Sequence, residues 1–551
     1  MPGKKFSNYV LIAAFSVIAM MPAYLGGIPI ANDQSQHYQF AGTVCDAIVN
    51  GNIYPSLSGE TNHGFGDVGI RFYPPLTYYC LSLIYLVVRD WYFASLIAFT
   101  LVFFFGAAGV YLWARDELGP TQALIAALIY TLAPYHLNQI YNNFLLAEFF
   151  ATAIIPFCFL FLTRVCRDGR WINVAGLTAT YALLILTHLP MTILFSLAMG
   201  MYALFLLKKP GILSTISKLV GSVVAALLMT SFYWSRWVPE LELIKHSTSK
   251  YFSSTWDYSS NFLLRPSHFT DIANDSSNLW FADAILIVTL LIMVPTAIYL
   301  IRKRLETSRF LVAVTAVLIL SILMTTPVTS VIWDNVGVLQ KMQFPSRWLV
   351  VVSLFGSAFA AIGIAKAAAT VNEGKNALVT LGLGIVLTVF FFAAVFVPKG
   401  AAYRSRAALN TEMAGLINSE ACECWWPIWA DRAAFSQPDR VTAMNRNTRI
   451  ALWSATEKRF KIDAGDAGRA GVNTFYYPRW TATVNGAVVP VDIGPSGRIA
   501  LSIPAETADV DLIFREPPYV MAANIASISA GGMLLAFAVI LLVKSRKTAK
   551  L

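Results

Sequence analysis

Charge is scarce in this chain of 551 residues. Only 13% of the residues are Asp, Glu, Lys or Arg, whereas 57% are hydrophobic. Soluble globular chains carry roughly 25% charged residues, so this composition excludes a water-soluble protein. Lipid offers no partners for backbone N–H and C=O groups, and helices satisfy those groups internally. The sequence therefore predicts an all-α polytopic membrane protein.

Several common catalytic motifs are absent as well. The chain has no Walker A loop, no G-x-G-x-x-G between a strand and a helix, no H-E-x-x-H and no G-x-S-x-G. These absences argue against an ATP-driven pump and against the common hydrolases. The net charge of +10 does not indicate a nucleic-acid partner. Lys and Arg instead collect in short turns between apolar runs, as is typical of cytoplasmic loops.

Cysteine is also rare, with six residues in the whole chain. The spacing permits a Cys45–Cys80 disulfide on the predicted outer side, where Cys422 and Cys424 also lie. A C-x-C pair alone is weak evidence for a metal site, because no matching Cys or His pair follows it. Disulfides and unpaired structural cysteines both remain open.

Long apolar runs, in contrast, are abundant. A helix needs about 20 apolar residues to cross the hydrocarbon core. About twelve runs qualify as spans: 9–30, 91–114, 119–137, 145–164, 173–190, 191–207, 216–237, 283–302, 308–327, 348–368, 377–397 and 519–543. The run Leu76–Val88 is too short, and we expect it to lie in the outer interface. The Lys and Arg clusters then fall on one side, which predicts that both termini are cytoplasmic.

Three segments are too long to be turns and are predicted to face the outside: 31–90, 238–282 and 398–518. The third is expected to be β-rich near its end, because Asn485-Gly486 separates two short alternating runs, which is a strong hairpin signal. The predicted domains are a transmembrane module over 1–397, an extracytoplasmic β-rich domain over 398–518, and a last helix with a basic cytoplasmic tail over 519–551.

Two carboxylates near the predicted outer surface are candidates for chemistry. Asp33 follows the first span by a few residues, where a carboxylate can take a proton from an acceptor hydroxyl. The alternative is an Asp that ends a helix and faces water. Glu148 lies at the start of an apolar span, where an ionisable group costs about 2.5–3.5 kcal/mol unless it faces a cavity or a partner. His188, between two spans, raises the same question.

Three arginines are placed on the same side, against the positive-inside pattern. We expect Arg347 to bind an anion or a carboxylate, and Arg71 and Arg236 are placed similarly. Two or more guanidinium groups can hold a phosphate through forked hydrogen bonds. Snorkelling of each arginine to lipid headgroups is the alternative.

Several short motifs occur in a fixed order along the chain: Asp33 with His37, Phe72-Tyr73-Pro-Pro-Leu-Thr-Tyr-Tyr, Ala133-Pro-Tyr-His136, Ala147-Glu148 running to Pro156, Thr187-His188, and Gln343-Phe-Pro-Ser-Arg347. In these motifs the chain resembles the bacterial pyruvoyl-tetrahydropterin-synthase-related membrane proteins and the YfhO-like proteins close to them. Those proteins in turn resemble the GT-C superfamily of membrane glycosyltransferases.

The resemblance implies an inverting glycosyltransferase of the bacterial inner membrane with its active site facing the periplasm. The donor would be a polyprenyl-phosphate-linked sugar, and the acceptor a glycan or glycolipid of the cell envelope. Asp33 maps to the catalytic base. The residues expected to bind substrate are His37, Arg71, Tyr73, Glu148, His188, Arg236, Gln343 and Arg347. Whether a divalent metal takes part is left open.

Two other functions fit part of the pattern. A flippase or transporter of lipid-linked sugars would also need buried charges, and a non-catalytic partner in envelope assembly would also carry an outer domain. A transporter should show ionisable residues near mid-membrane on several helices. Here they gather near the outer surface, which favours chemistry at the surface.

The predicted topology can be tested by cysteine labelling in intact cells. Thiols introduced in 31–75, 238–282 and 398–518 should react with a membrane-impermeant maleimide. Thiols introduced near Arg302 should stay unlabelled until the membrane is permeabilised. Protection of 398–518 from the outside reagent would contradict the orientation.

Overall fold

A computed structural model of the chain describes residues 2–31, 33–247, 257–270, 279–302, 308–369, 402–416 and 418–548. The chain is mostly helical, with a β-sheet region near its C-terminus. This confirms the fold class that the composition and the hairpin signal predict.

The helices of the first half are α1 (Pro2–Gly26), α2 (Gln34–Val49), α3 (Gly69–Phe72), α4 (Leu76–Val88), α5 (Trp91–Leu118), α6 (Pro120–Thr131), α7 (Pro134–Tyr141), α8 (Leu146–Asp168), α9 (Trp171–Ile185), α10 (Leu189–Leu206), α11 (Ile212–Met229) and α12 (Ser231–Trp237). Those that follow are α13 (Ser267–Thr270), α14 (Leu279–Arg302), α15 (Arg309–Met324), α16 (Ser330–Asn335), α17 (Gly337–Gln340), α18 (Leu349–Ala369), α19 (Arg406–Leu416) and α20 (Pro518–Thr548).

Among the described residues, eight helices are long and apolar enough to cross a membrane. They are Phe6–Gly26, Trp91–Leu118, Leu146–Asp168, Leu189–Leu206, Ile212–Met229, Leu279–Arg302, Pro345–Ile364 and Pro518–Lys544. A ninth is a bent pair, in which Arg309–Met324 meets Pro327–Asn335 at 94°. The remaining helices are shorter than a full span or lie between the spans.

Three of the roughly twelve predicted spans differ from this set. The run 119–137 divides into α6 and α7, because Pro134 starts a new helix at its first position and cannot donate a backbone hydrogen bond to the old one. The run 173–190 forms only the 15 residues of α9 and stops ahead of Pro190. The run 377–397 lies outside the described residues.

The short apolar helix α4 has the bounds that the sequence predicts, Leu76–Val88. It packs against α2 and α5. Its 13 residues are too few for a span, and its position in the outer interface stays a prediction.

The core of the helical bundle forms where α5 packs against α1, α6 and α8. Trp113 of α5 is fully buried, and its indole N–H lies 3.1 Å from Thr163 Oγ1 and 3.3 Å from Tyr202 Oη. Gly109 permits the close approach of α8, because a Cβ atom there would lie 2.9 Å from Cβ of Pro156. Side-chain packing and a few shared hydroxyl contacts thus hold the spans together.

The β region contains two antiparallel sheets. The strands are β3 (Val441–Ala443), β4 (Thr448–Trp453), β5 (Glu457–Ile462), β6 (Gly468–Phe475), β7 (Trp480–Val484), β8 (Ala487–Val489), β9 (Asp492–Ile493), β10 (Arg498–Ile503) and β11 (Ala508–Phe514), preceded by β1 (Ile28–Ile30) and β2 (Ala402–Arg404). One sheet has the order β4-β5-β11-β7-β8, and the other has the order β3-β6-β10-β9.

The predicted hairpin is confirmed. Strands β7 and β8 pair antiparallel, with Val484 opposite Ala487. The two residues between them, Asn485 and Gly486, have φ angles of 51° and 80°. Positive φ at both central positions defines the type I′ turn, whose twist matches that of the strands.

The segments predicted to face one side of the membrane contact one another in the structure. β1, which directly follows the first span, pairs with β2, which precedes the β region. Ile244 forms a bridge with Pro427. Leu57 and Val68 of the first long loop belong to the hydrophobic core of the β region. The loops and the β region therefore form one layer at one end of the bundle.

A buried ion-pair cluster ties this layer together. Arg71 is fully buried; its Nε donates to Glu240 over 2.6 Å, and its Nη2 donates to Glu516 over 2.8 Å. Tyr477 Oη and Arg479 Nε each donate to Glu240 over 2.7 Å. Burial raises the pKa of Glu516, but the hydrogen bonds and charge of Arg71 outweigh it and hold that pKa below its usual value. The cluster joins α3, the turn after α12, the β region and the start of α20.

Removing Glu240 should destabilise the protein strongly, because it leaves the buried guanidinium of Arg71 with half of its partners. For Glu240→Ala we expect a loss of about 3–5 kcal/mol, seen as a lower Tm of the detergent-solubilised protein. Glu240→Gln, which keeps acceptor oxygen, should lose less. The control is Asp509→Ala, which breaks an exposed pair with Lys461 and should cost about 1 kcal/mol or less. Equal Tm shifts for Glu240→Ala and the control would contradict this account.

Candidate functional site

Asp33 stands at the entrance of α2, directly after the first span and β1. It occupies the N-cap position, but its side chain makes no capping hydrogen bond. The residue is exposed, although protein surrounds it closely enough for burial to raise its pKa. Arg347 lowers that pKa and Glu148 raises it, and the net shift is upward. Asp33 thus has an exposed side chain with protein packed closely around it, within the electrostatic range of both residues.

Glu148 has the partners that its position in an apolar span requires. Its side chain is 1% exposed, and it accepts hydrogen bonds of 2.9 Å from Tyr135 Oη and from Gln139 Nε2. Arg347 Nε donates to its other oxygen over 3.1 Å. Tyr135 and Gln139 are four residues apart on α7 and therefore share one face of that helix. The buried carboxylate is both hydrogen-bonded and paired with a cation.

Arg347 lies in a short 3₁₀ turn, Pro345–Trp348, that leads into α18. Its guanidinium uses Nε for Glu148 and Nη1 for the carbonyl of Met342. Nη2 takes part in no hydrogen bond among the described residues. Gln343, just before the turn, has a left-handed φ of 62°, which a side chain of this kind adopts only when its surroundings impose it. One edge of the Arg347 guanidinium, at Nη2, is therefore free to bind a further partner.

His37 follows Asp33 by one turn of α2. Its Nδ1 lies 2.9 Å from Tyr78 Oη, and its ring meets the ring of Tyr73 edge to face at 5.8 Å. Burial lowers the pKa of His37 to about 3, so the imidazole is neutral at physiological pH. Tyr73 in turn interacts electrostatically with Asp33 and Arg347. A neutral ring and a phenol thus line the site beside the carboxylate.

His188 caps α10, and its Nδ1 accepts the backbone N–H of Met191 over 3.3 Å. Burial lowers its pKa, and the positive charge of Arg347 lowers it further. His188 therefore belongs to the same neighbourhood, with a capping role that the sequence did not indicate. We call the neighbourhood the Asp33 group, and its members are Asp33, His37, Tyr73, Glu148, His188 and Arg347. Gln343 lies four residues before Arg347, and its role in binding stays a prediction.

Two of the predicted substrate-binding arginines lie in the buried ion-pair cluster instead. The guanidinium of Arg71 is engaged by Glu240 and Glu516. Arg236 stacks over the ring of Tyr54 at 4.0 Å and lies 3.8 Å from Glu516. The structure thus does not join either arginine to the Asp33 group through these contacts. Their acidic partners are distant in sequence, so the pairing could not be read from spacing.

Three residues of the site were not predicted from the sequence. Tyr135 and Gln139 contact Glu148, and Tyr78 contacts His37. A signal for two of them was present, since Tyr135 and Gln139 repeat at helical spacing on a short polar helix just before Glu148.

The structure also decides between the alternatives for the cysteines: Cys422 and Cys424 form a disulfide, whereas Cys45 and Cys80 are free thiols. In the described part of the chain no group of three or more His, Cys, Asp or Glu side chains is placed to hold a metal ion.

Fold and site together define a polytopic membrane protein whose paired and unpaired charges gather at one end of the helical bundle, next to a small β region. The chain belongs to the family of membrane proteins described as the 6-pyruvoyl-tetrahydropterin synthase related domain, whose model matches residues 70–405. The matched range contains Tyr73, Glu148, His188 and Arg347. Asp33 and His37 precede it.

A relative and two solved structures illustrate the similarity. An uncharacterized protein of Lactococcus lactis subsp. cremoris (strain MG1363) is 24% identical over 280 residues, which cover 47% of this chain and 42% of that protein. The chain thus spans less than half the length of this relative.

The fold is similar to that of two solved structures. Apo ArnT from Cupriavidus metallidurans is 13% identical, over 75% of this chain and 68% of that chain, with a TM-score of 0.46. The oligosaccharyltransferase AglB from Archaeoglobus fulgidus is 13% identical, over 73% of this chain and 56% of that chain, with a TM-score of 0.43.

A double-mutant cycle on Glu148 and Arg347 tests whether their pairing stabilises the site. Arg347→Ala strands a buried carboxylate, and Glu148→Gln removes the charge that Arg347 faces. The double variant Glu148→Gln/Arg347→Ala should therefore be more stable than the sum of the single losses predicts, by about 0.5–3 kcal/mol. Thermal unfolding in detergent measures all four proteins. Asp116→Asn, which weakens the partly exposed pair with Arg164 at the other end of α8, is the control and should lower the Tm less than Arg347→Ala does. Strict additivity would show that the pair does not act as a unit.

Proposed function

We propose that this protein is an inverting membrane glycosyltransferase that moves a sugar from a polyprenyl-phosphate donor to an acceptor of the cell envelope. One observation carries the proposal. The Asp33 carboxylate is exposed, makes no capping hydrogen bond and lies within the electrostatic range of Arg347, whose Nη2 makes no hydrogen bond among the described residues. A carboxylate that can accept a proton and a cation that can hold a phosphate are what such a transfer needs.

The chemistry assigns one role to each charge. The acceptor oxygen attacks the anomeric carbon from the face opposite the leaving group, and its proton passes to Asp33. The bond from that carbon to the donor phosphate oxygen breaks, and the lipid phosphate leaves with the electron pair. Arg347 stabilises the negative charge that collects on the phosphate. The raised pKa of Asp33 makes the carboxylate a stronger base than an ordinary aspartate.

The other members of the Asp33 group support these two residues. Glu148 holds Arg347 by its Nε, which leaves Nη2 directed elsewhere for a phosphate oxygen. Neutral His37 and Tyr73 can exchange hydrogen bonds with sugar hydroxyls without adding charge beside Asp33. Tyr135 and Gln139 keep Glu148 in place and act as positioning residues.

The proposed substrate also matches the position of the group. The Asp33 group lies at the end of the apolar helices, where a lipid-linked phosphate has its headgroup. Undecaprenyl phosphate is bound in a second structure of Cupriavidus ArnT, and dolichol phosphate in the AglB structure. Both are carriers of the proposed class. Basic Arg164 and Arg167 lie at the opposite end of α8 from Glu148, and by the positive-inside pattern this supports a periplasmic position of the group.

Sugar transfer from synthetic polyprenyl-phosphate donors by purified variants tests the proposal. Asp33→Asn keeps the size of the side chain but cannot accept the proton, so turnover should fall by about 10²–10⁴ while donor binding survives. Arg347→Ala should weaken donor binding, and far more than Arg347→Lys, which keeps the charge but not the forked geometry. Glu148→Gln is the matched carboxylate control and should reduce binding or folding more than turnover.

Other outcomes would point elsewhere. Normal turnover of Asp33→Asn together with an inactive Glu148→Gln would move the base to Glu148. Unchanged turnover in both variants would remove both carboxylates from the reaction. If the wild type transfers no sugar, the transferase proposal fails, and movement of lipid-linked sugars across the membrane becomes the function to measure.

A further inference from the structure

A cavity of about 510 Å³ opens between the first long loop and the β region, away from the contacts of the Asp33 group. The loop contributes Glu60 and His63, and the β region contributes Gln437, Arg440, Trp453 and Asn473. Cavities of roughly 300–1,000 Å³ are the size at which proteins bind small organic ligands. The chemistry proposed for the Asp33 group uses none of these residues.

The loop that carries His63 is held in an unusual conformation. Asn62 and His63 both have left-handed φ angles, 59° and 58°. Buried Asn62 fixes the loop, since its Nδ2 donates to the carbonyl of Gly66 over 2.9 Å and its Oδ1 accepts the N–H of Ala421 over 2.8 Å. Consecutive left-handed residues other than glycine are costly and persist only where the surroundings impose them. The consequence here is that His63 is presented at the cavity, edge to face with Phe435 at 5.0 Å.

The opposite wall presents an aromatic surface beside hydrogen-bonding groups. The guanidinium of Arg440 lies over the ring of Trp453 at 5.3 Å. Lys458 Nζ lies between two indoles, 4.8 Å from the ring centre of Trp453 and 5.0 Å from that of Trp480, and holds the first indole in place. Trp453 is therefore a rigid, partly exposed ring within reach of Arg440.

These features point to one class of ligand. A saccharide has apolar C–H faces that pack on aromatic rings and hydroxyl groups that both donate and accept hydrogen bonds. The cavity supplies aromatic rings from Trp453 and Phe435, an acceptor at Glu60, a donor at Arg440 and mixed groups at Gln437. One carboxylate, Glu60, and one guanidinium, Arg440, line the cavity, so its charged side chains give no excess of one sign that would select a strongly ionic ligand.

The cavity is also connected to the helix that carries the proposed base. Gln39 of α2 donates to the carbonyl of Ser419 over 3.1 Å, and Gln36 of α2 accepts the N–H of Cys422 over 2.8 Å. Neighbouring Asn418 lines the cavity and accepts the N–H of His63 over 3.1 Å. One segment, 418–422, thus contacts both α2 and the cavity.

We propose that this cavity is a saccharide-binding site and, resting on the transferase function proposed above, that it holds the chain of the acceptor glycan. The acceptor is then an oligosaccharide whose inner units bind between the loop and the β region. Its terminal hydroxyl reaches the Asp33 group along α2.

Binding can be measured without any transfer reaction. The full-length protein in nanodiscs is applied to an array of immobilised oligosaccharides, and the tightest-binding glycan is then titrated in solution. Trp453→Ala and Arg440→Ala should each weaken binding at least about tenfold, because the loss of an aromatic or arginine anchor removes a large share of affinity. Trp429→Ala, which removes a partly buried indole of the β region that does not line the cavity, should bind as the wild type does. Arg440 is exposed, so its variant keeps the test decisive if Trp453→Ala does not fold.

The two proposals fail in different ways. Asp33→Asn should bind the glycan normally, because Asp33 does not line the cavity. If the purified protein transfers sugar, Arg440→Ala should raise the KM for the acceptor and leave kcat and the KM for the donor nearly unchanged. No glycan binding by the wild type, or binding that ignores both cavity variants, would overturn the saccharide site. Glycan binding by a wild-type protein that transfers no sugar would leave the site standing and remove the transferase function.

Discussion

The guanidinium of Arg71 is the point at which four parts of the chain meet. It is fully buried, and Glu240 and Glu516 surround it with hydrogen-bonded carboxylates. A charge removed from water must be paired, and each partner here comes from a different segment. The turn after α12, the β region and the start of α20 are therefore held against the first long loop. Both the Asp33 group and the cavity with Trp453 depend on the position of that loop.

The same electrostatic rule operates a second time within the helical bundle. Glu148 is buried at the start of an apolar helix, and Arg347 arrives from α18 to pair with it. In the ion-pair cluster the carboxylates engage Arg71 from both sides, whereas Glu148 uses only Nε of Arg347. Arg71 is therefore a structural arginine, whereas Nη2 of Arg347 makes no hydrogen bond among the described residues. Asp33 is the contrasting case, because its side chain is exposed and makes no capping hydrogen bond.

Much of the fold could be predicted from local patterns. Apolar runs located most spans, the run Leu76–Val88 gave the bounds of a short helix, and Asn485-Gly486 marked the hairpin. These predictions succeed because hydrophobic length and turn chemistry act over a few residues. The run 119–137 was read as one span because its apolar content is continuous. Pro134 divides it, and the α7 helix it starts carries Tyr135 and Gln139 to Glu148.

The site was predicted less completely, and for a physical reason. By itself the sequence determined that the protein is embedded in a membrane, that a β region lies near its C-terminus, and that Glu148 and Arg347 stand where unpaired charges are costly. Only the tertiary structure decided which charges meet: Arg347 with Glu148, and Arg71 with Glu240 and Glu516. Ion pairing depends on distance in space, and the partners lie between 169 and 445 residues apart along the chain. Sequence spacing carries no record of such a contact until the helices and the β region have packed together.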